Sequence, residues 1–276
     1  MTRTFPTTGH QAAAAPVRLE RDKGVARIVL ARGNTGNAFD LELVTSLRDA
    51  VRQVADWTRD AERTDIGAVL LQAEGRNFSV GGDLRAFVAQ GEDTGGYVQA
   101  VADAAHEAVL GIIDLRVPVV AAVRGAVAGG GVGLVLSADV VVAARSANMR
   151  LAYTALGLTP DCGASWFLPR IVGVHRALDL VLTNRVLAAA DAERWGLFSR
   201  VVADEELSSA TENLLRSIVT GQRGALSQAK LLVRTGLFDE LPEHLEYEAE
   251  FIAKASARPE VRAAMEEFLN RTRAAR

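Results

Sequence analysis

Two segments, Asn77-Phe78-Ser79-Val80-Gly81-Gly82-Asp83-Leu84 and Gly125-Ala126-Val127-Ala128-Gly129-Gly130-Gly131-Val132-Gly133, each follow an apolar run and carry clustered glycines. Glycine leaves the peptide N–H bare and lets a ligand approach the main chain. Two such donors aimed at one point form an oxyanion hole, a site that stabilises negative charge developing on oxygen. Where a glycine run opens a helix, free N–H groups and the positive end of the helix dipole add to the effect. The bland alternative is that these glycines serve only tight turns and close helix–strand packing. Chemistry at such a hole also needs a side chain beside it that moves protons.

Other chemistries have little support. His10, His106, His175 and His244 are scattered without metal-ligand spacing. The single cysteine, Cys162, cannot form an internal disulfide, which fits a reducing, cytoplasmic setting. A formal charge of −3 over 276 residues gives no reason to expect nucleic acid or an anionic membrane as partner. The longest apolar region, 117–144, is broken by Arg124, the glycine run and Asp139, so it reads as strand, turn, helix and strand, not a membrane span.

The elements that must hold the glycine segments follow from periodicity. Val17–Glu20 and Val25–Leu30 alternate around Asp22-Lys23-Gly24, a hairpin pattern. Leu41, Val44, Leu47, Val51 and Val54 keep helical spacing over 40–54. Strands are expected over 66–71, 117–123, 140–144 and 200–202, with helices over 97–115, from the glycine run to 136, and over 191–197. Strand–helix alternation predicts an α/β layer whose strand ends gather loops. Residues 1–16 read as a flexible lead, 17–204 as the core, and 205–276 as a helical region with segments near 206–220, 223–236, 241–257 and 259–273. The stretch from Phe87 to Gly96, rich in glycine and acid, reads as a mobile loop.

In this order and at these separations, the segments resemble the crotonase (enoyl-CoA hydratase/isomerase) superfamily from about Val17 to Arg271. Gly33-Asn34 through Asn37-Ala38-Phe39-Asp40 resembles its first CoA-contacting loop. Phe78–Leu84 and Val119–Gly131 resemble its two oxyanion segments, and Leu156–Asp161 and Ala192–Leu197 complete the pattern. The resemblance implies a ββα spiral core with a C-terminal helical trimerisation region, an acyl-CoA thioester as substrate and no further cofactor. It also implies a homotrimer or a hexamer built as a dimer of trimers. Carried over by position, the hole donors are the backbone N–H groups of Gly82 and Gly130, framed by Gly81 and Gly129.

The departures narrow the chemistry. Hydratases of the family use two glutamates; the first position holds Gly133 here and the second holds Tyr153. Neither glycine nor a phenol of ordinary pKa about 10 replaces a carboxylate base at neutral pH. One acid remains nearby, Asp161, in Thr159-Pro160-Asp161-Cys162-Gly163-Ala164-Ser165-Trp166. This resembles isomerase branches that place a proton-transferring aspartate there. A single carboxylate suits a 1,3-proton shift, so the expected activity is enoyl-CoA isomerisation. The alternatives are a hydratase-like lyase using Asp161 and water, or a non-catalytic subunit that binds CoA thioesters.

Each residue also has a plainer reading. Asp161 suits a helix N-cap, its carboxylate on the N–H of Gly163 or Ala164. Tyr153 either hydrogen-bonds the substrate or a water, or fills the volume the glutamate left, and filling is preferred. Ser79 either touches the acyl group or is solvated, and Asp83 holds its loop through backbone hydrogen bonds. An apolar wall of Leu156, Leu158, Trp166 and Phe167 is expected around Asp161. For CoA, the resemblance points to the backbone at Asn37 and Ala38, to Leu84, and to cations among Arg85, Lys254 and Arg271. Phe251 and Phe268 read as packing of the C-terminal helices.

Overall fold

Alternation along the strands sorts side chains to two faces. Ala26, Ile28, Leu30, Val69, Leu71, Val119 and Ala121 enter one buried cluster, while Val25, Ala68, Leu70, Val120 and Val142 enter another. A sheet apolar on both faces must be covered on both, as parallel sheets are. The computed structural model, which describes residues 15–60, 64–236 and 251, has this arrangement. Strands β1 (Val17–Asp22), β2 (Val25–Leu30), β3 (Ala68–Ala73), β4 (Val119–Val123), β6 (Val140–Ala144) and β9 (Arg200–Val202) form one sheet in the order β1-β2-β3-β4-β6-β9. Only the β1–β2 pair is antiparallel. Helices α1 (Leu41–Trp57) and α3 (Thr94–Asp114) bury Leu43, Val44, Leu47, Val51, Ala108 and Ile112 in the first cluster. Helix α8 (Leu207–Val219) covers the opposite face with Leu207 and Leu215.

A smaller sheet carries the site. Strands β5 (Ala126–Ala128), β7 (Asn148–Arg150) and β8 (Leu187–Ala188) pair in the order β5-β7-β8. Two single bridges, Ser79 to Val127 and Phe39 to Gly82, extend this band through residues 78–83 to residues 36–39. The three loops that the sequence marks as chemical are thereby stitched side by side through main-chain hydrogen bonds. The remaining helices are α2 (Leu84–Val88), α4 (Gly130–Leu136), α5 (Ala164–Val172), α6 (Val174–Thr183), α7 (Ala189–Arg194) and α9 (Arg223–Thr235).

Several expectations need correction. Residues 87–96 are largely helical: Asp83 caps α2 by accepting from Arg85 N and Ala86 N, and a short 3-10 turn at Gly91–Asp93 leads straight into α3. The Thr94 hydroxyl closes this segment on the Phe87 and Gly91 carbonyls. Strands β5, β7 and β8 and helices α2 and α6 have no counterpart in the sequence reading, and of α5 it marked only a candidate N-cap at Asp161. Residues 207–219 pack onto the sheet, and 223–235 are tied to its strand starts through Lys230 and Arg234. Phe251 is helical and half-buried, whereas Lys254, Arg271, Phe268 and most of the N-terminal lead fall outside the described residues.

Candidate active site

The 78–83 segment is held on both sides. On one side Phe39 N donates to Gly81 O at 2.7 Å and Asp83 N to Phe39 O at 3.0 Å, so the peptide groups of Gly82 itself point away from Phe39. On the other side Ala128 N donates to Ser79 O at 2.9 Å. Gly81 (φ +89°) and Gly129 (φ +51°) stand in the left-handed half of backbone space, where a side chain is strained. A Cβ on Gly129 would lie 3.3 Å from Gly81 Cα and 4.0 Å from Gly82 N, so the two glycine segments touch. Gly130 is the first residue of α4, where N–H groups have no partner within the helix. Among the described residues, neither Gly82 N nor Gly130 N donates to a backbone acceptor.

The Asn37 and Ser79 side chains brace the two loops. Asn37 is fully buried; its amide donates to Glu74 O and Asn77 O and accepts from Arg32 N. The Ser79 hydroxyl, also fully buried, donates to Asn37 O at 2.9 Å and accepts from Gly81 N at 3.2 Å. Ala38 is buried between them, and Leu84 is exposed at the start of α2. The Phe87 ring lies over Gly82, where a Cβ would come within 2.8 Å, and meets Tyr97 edge to face. Tyr97 in turn accepts from Leu41 N.

The segment after β7 brings the acid in. Tyr153 is buried, and its hydroxyl donates to Asp161 Oδ1 at 2.5 Å. Burial, then the adjacent Asp161 charge, pushes the phenol far above its ordinary pKa, so Tyr153 stays protonated and acts as a donor. Cys162 is likewise buried; desolvation and the Asp161 carboxylate raise its thiol and keep it neutral. Asp161 is not a helix cap. Helix α5 has Gly163 as its N-cap with no side-chain bond, and it is the Asp161 main-chain oxygen that accepts Ala164 N. The anticipated apolar wall does not enclose it either, since Leu156, Leu158 and Trp166 are exposed and only Phe167 is buried. The Trp166 ring lies under the Arg170 guanidinium at 4.1 Å and edge-on to Phe167.

Cys162 joins the Asp161 turn to the second glycine segment. Its Sγ would lie 2.9 Å from a Cβ on Gly130, and its carbonyl oxygen 1.9 Å from a Cβ on Gly133. No side chain of any kind fits at residue 133 in this backbone, because a main-chain oxygen occupies the place where it would begin. Sequence reasoning placed Gly133 at a vacated position but had no signal for what fills it. It also passed over His106 on α3, whose Nε2 accepts the Cys162 N–H at 3.1 Å.

A fold of this kind, with two glycine segments in contact and the Asp161–Cys162 turn packed on one of them, matches known proteins. The family model for enoyl-CoA hydratase/isomerase matches residues 20–275, and the chain belongs to that family. It is similar to the 1,2-epoxyphenylacetyl-CoA isomerase of Escherichia coli K12, with 33% identity covering 90% of this chain and 93% of that one. Among solved structures, a Mycobacterium abscessus protein assigned as an enoyl-CoA hydratase/isomerase aligns with TM-score 0.85 and 32% identity, covering 92% of this chain and 96% of that one. A Thermobifida fusca protein assigned as an enoyl-CoA hydratase, solved in complex with CoA, aligns with TM-score 0.77 and 30% identity over 88% and 94% of the two chains. The architecture is therefore the crotonase α/β fold, and the chain is an acyl-CoA enzyme of this family. No helix among the described residues is long and apolar enough to cross a membrane.

Proposed function

We propose that the enzyme is an enoyl-CoA isomerase that shifts a double bond, with Asp161 as the single acid/base and the Gly82 and Gly130 N–H groups as the oxyanion hole. The observation that carries this reading is the pairing of a filled position with a paired one. The Cys162 carbonyl occupies the space of any side chain at Gly133, and the Tyr153 hydroxyl is bound to Asp161. One carboxylate is left to move protons, and water addition by two glutamates has no equipment.

In this mechanism the acyl thioester oxygen lies on the two N–H groups. The Asp161 carboxylate takes a proton from the α carbon of a 3-enoyl thioester, and the electron pair of that C–H bond moves to the thioester oxygen as an enolate. The enolate collapses, the double bond moves to the 2,3 position, and Asp161 returns the proton to the γ carbon. Tyr153 holds Oδ1, so the transferred proton travels on Oδ2. The CoA moiety passes the main chain at Ala38 and the exposed Leu84, with Arg85 near its phosphates and Trp166 at the mouth. Copies of the chain assemble as a trimer or a hexamer. The apolar stripe of α6, exposed at Val174, Leu178 and Leu182, supports association.

The test is turnover of 3-enoyl-CoA substrates of graded chain length, followed by absorbance of the conjugated product. Conjugation by the wild type, reduced at least about 100-fold by Asp161→Asn with acyl-CoA affinity kept, is the expected result. Addition of water to a 2-enoyl thioester would favour the lyase alternative. Tight acyl-CoA binding with no reaction would favour a binding subunit.

A further inference from the structure

We infer that His106 is a positioning residue for the acid/base, fixing the Asp161 carboxylate by accepting the hydrogen bond of the next peptide group. The inference rests on the reading of Asp161 as the base.

The segment 161–163 turns sharply. Cys162, which is not glycine, adopts φ +50°, a left-handed conformation that an ordinary side chain disfavours. Such a residue persists only where its surroundings over-determine it. Three contacts do so here. The Cys162 carbonyl lies against Gly133, the Cys162 thiol against Gly130, and the Cys162 N–H points to His106 Nε2 at 3.1 Å. The first two are close packing on α4. The third is directional and comes from α3, a 21-residue helix whose inner face is anchored by Ala105, Ala108 and Val109.

The chemistry of that contact is specific. The Cys162 peptide group is a buried donor, and leaving it unmatched is costly. An imidazole accepts only at a nitrogen that carries no proton, so the hydrogen bond selects neutral His106 with its proton on Nδ1. The same peptide plane begins at the carbonyl carbon of Asp161. Fixing its N–H therefore fixes the exit direction of Asp161, whose side chain accepts the Tyr153 hydroxyl at its other end. His106 and Tyr153 thus hold the Asp161 residue from its main-chain and its side-chain end.

The experiment uses the full-length enzyme, a 3-enoyl-CoA substrate, and exchange of the thioester α proton with solvent deuterium as a partial reaction. His106→Leu, which removes the acceptor, is expected to lower kcat and α-proton exchange about 10- to 100-fold, since a carboxylate misplaced by about 1 Å loses rate on this scale. KM should stay near wild type, while the unfolding midpoint falls by a few degrees because the Cys162 N–H loses its acceptor. His106→Gln, whose side-chain carbonyl still accepts, should recover most of the rate. In the unsubstituted protein, a 15N–15N coupling across the hydrogen bond between Cys162 N and His106 Nε2 reads the contact without any variant. An absent coupling, or full kcat in His106→Leu beside an inactive Asp161→Asn, overturns the role of His106 alone. Full turnover in Asp161→Asn overturns the base assignment and this inference with it.

Discussion

At the scale of single residues, the two positions where a two-glutamate site would stand have been refitted as one unit. The carbonyl of Cys162 takes the space at Gly133, and the Tyr153 hydroxyl takes one oxygen of Asp161. The sequence identified both substitutions, because residue types at fixed offsets are legible. It could not reveal the partnership, because 8 positions along the chain separate Tyr153 from Asp161 without periodicity to mark it. For that reason volume-filling looked the better reading of Tyr153, whereas the structure pairs its hydroxyl with a carboxylate. The distinction is measurable. Tyr153→Phe keeps the volume and removes the donor, so kcat should fall about tenfold, equivalent to about 1.4 kcal/mol, with acyl-CoA affinity kept. Steady-state kinetics and a binding titration check this; an unchanged kcat would return Tyr153 to a filling role.

At the scale of elements, long periodic segments were legible and short ones were not. Strands β6 and β9 fall at the expected bounds, and α1, α3, α8 and α9 lie within a few residues of them. Strands β5, β7 and β8 have only two or three residues each, too few for alternation to register. Yet these strands hold the glycine segments together. Two charged junctions fasten the later helices to the sheet. At the first, Asp139 accepts from Lys230 Nζ at 2.8 Å, Arg234 Nη2 at 2.7 Å and Val119 N at 2.8 Å, locking α9 onto the starts of β4 and β6. Desolvation lowers the Lys230 pKa, and the Asp139 charge works against that shift. Asp139→Asn strands a buried ammonium and should destabilise the fold by about 3 kcal/mol. Lys230→Met should cost about 1 kcal/mol, because Asp139 keeps Arg234 and the Val119 N–H. Urea unfolding of both variants tests this order.

The second junction, Arg27 with Glu212, joins β2 to α8 through two hydrogen bonds of 2.6 and 3.0 Å. The Arg27 hydrogen bond holds the Glu212 carboxyl below its usual range, with burial opposing. A carboxyl whose folded pKa is depressed stabilises the fold above its unfolded pKa, about 4.3, and loses that contribution as pH falls through the folded value. The Glu212 side chain is 42% exposed, so water screens the pair and its worth stays below about 1 kcal/mol. Glu212→Gln should therefore unfold slightly more easily than wild type at pH 7, and the gap should close as pH drops below about 4. A gap that persists in acid would assign the effect to packing instead of charge.

At the scale of the whole molecule, the order of motifs along the chain carries the fold class, while the proposed association points to a surface that no motif marks. Helix α6 buries Ala177 and Leu180 and turns Val174, Leu178 and Leu182 outward, at spacings of four residues. Ile171 before it and Val186 after it are exposed as well, which lengthens the stripe. Scattered apolar residues on a surface need no explanation, but apolar residues exposed on successive turns of one helix face do. A closed ring of identical copies is the arrangement that covers such a face without leaving an open edge. Charges placed on the stripe would be desolvated in that ring, whereas on a free surface they would remain in water. Leu178→Glu with Leu182→Glu should therefore lower the mass seen by light scattering to that of smaller species, while far-UV circular dichroism stays unchanged. If the double variant keeps the wild-type mass, α6 faces solvent and the subunits meet elsewhere.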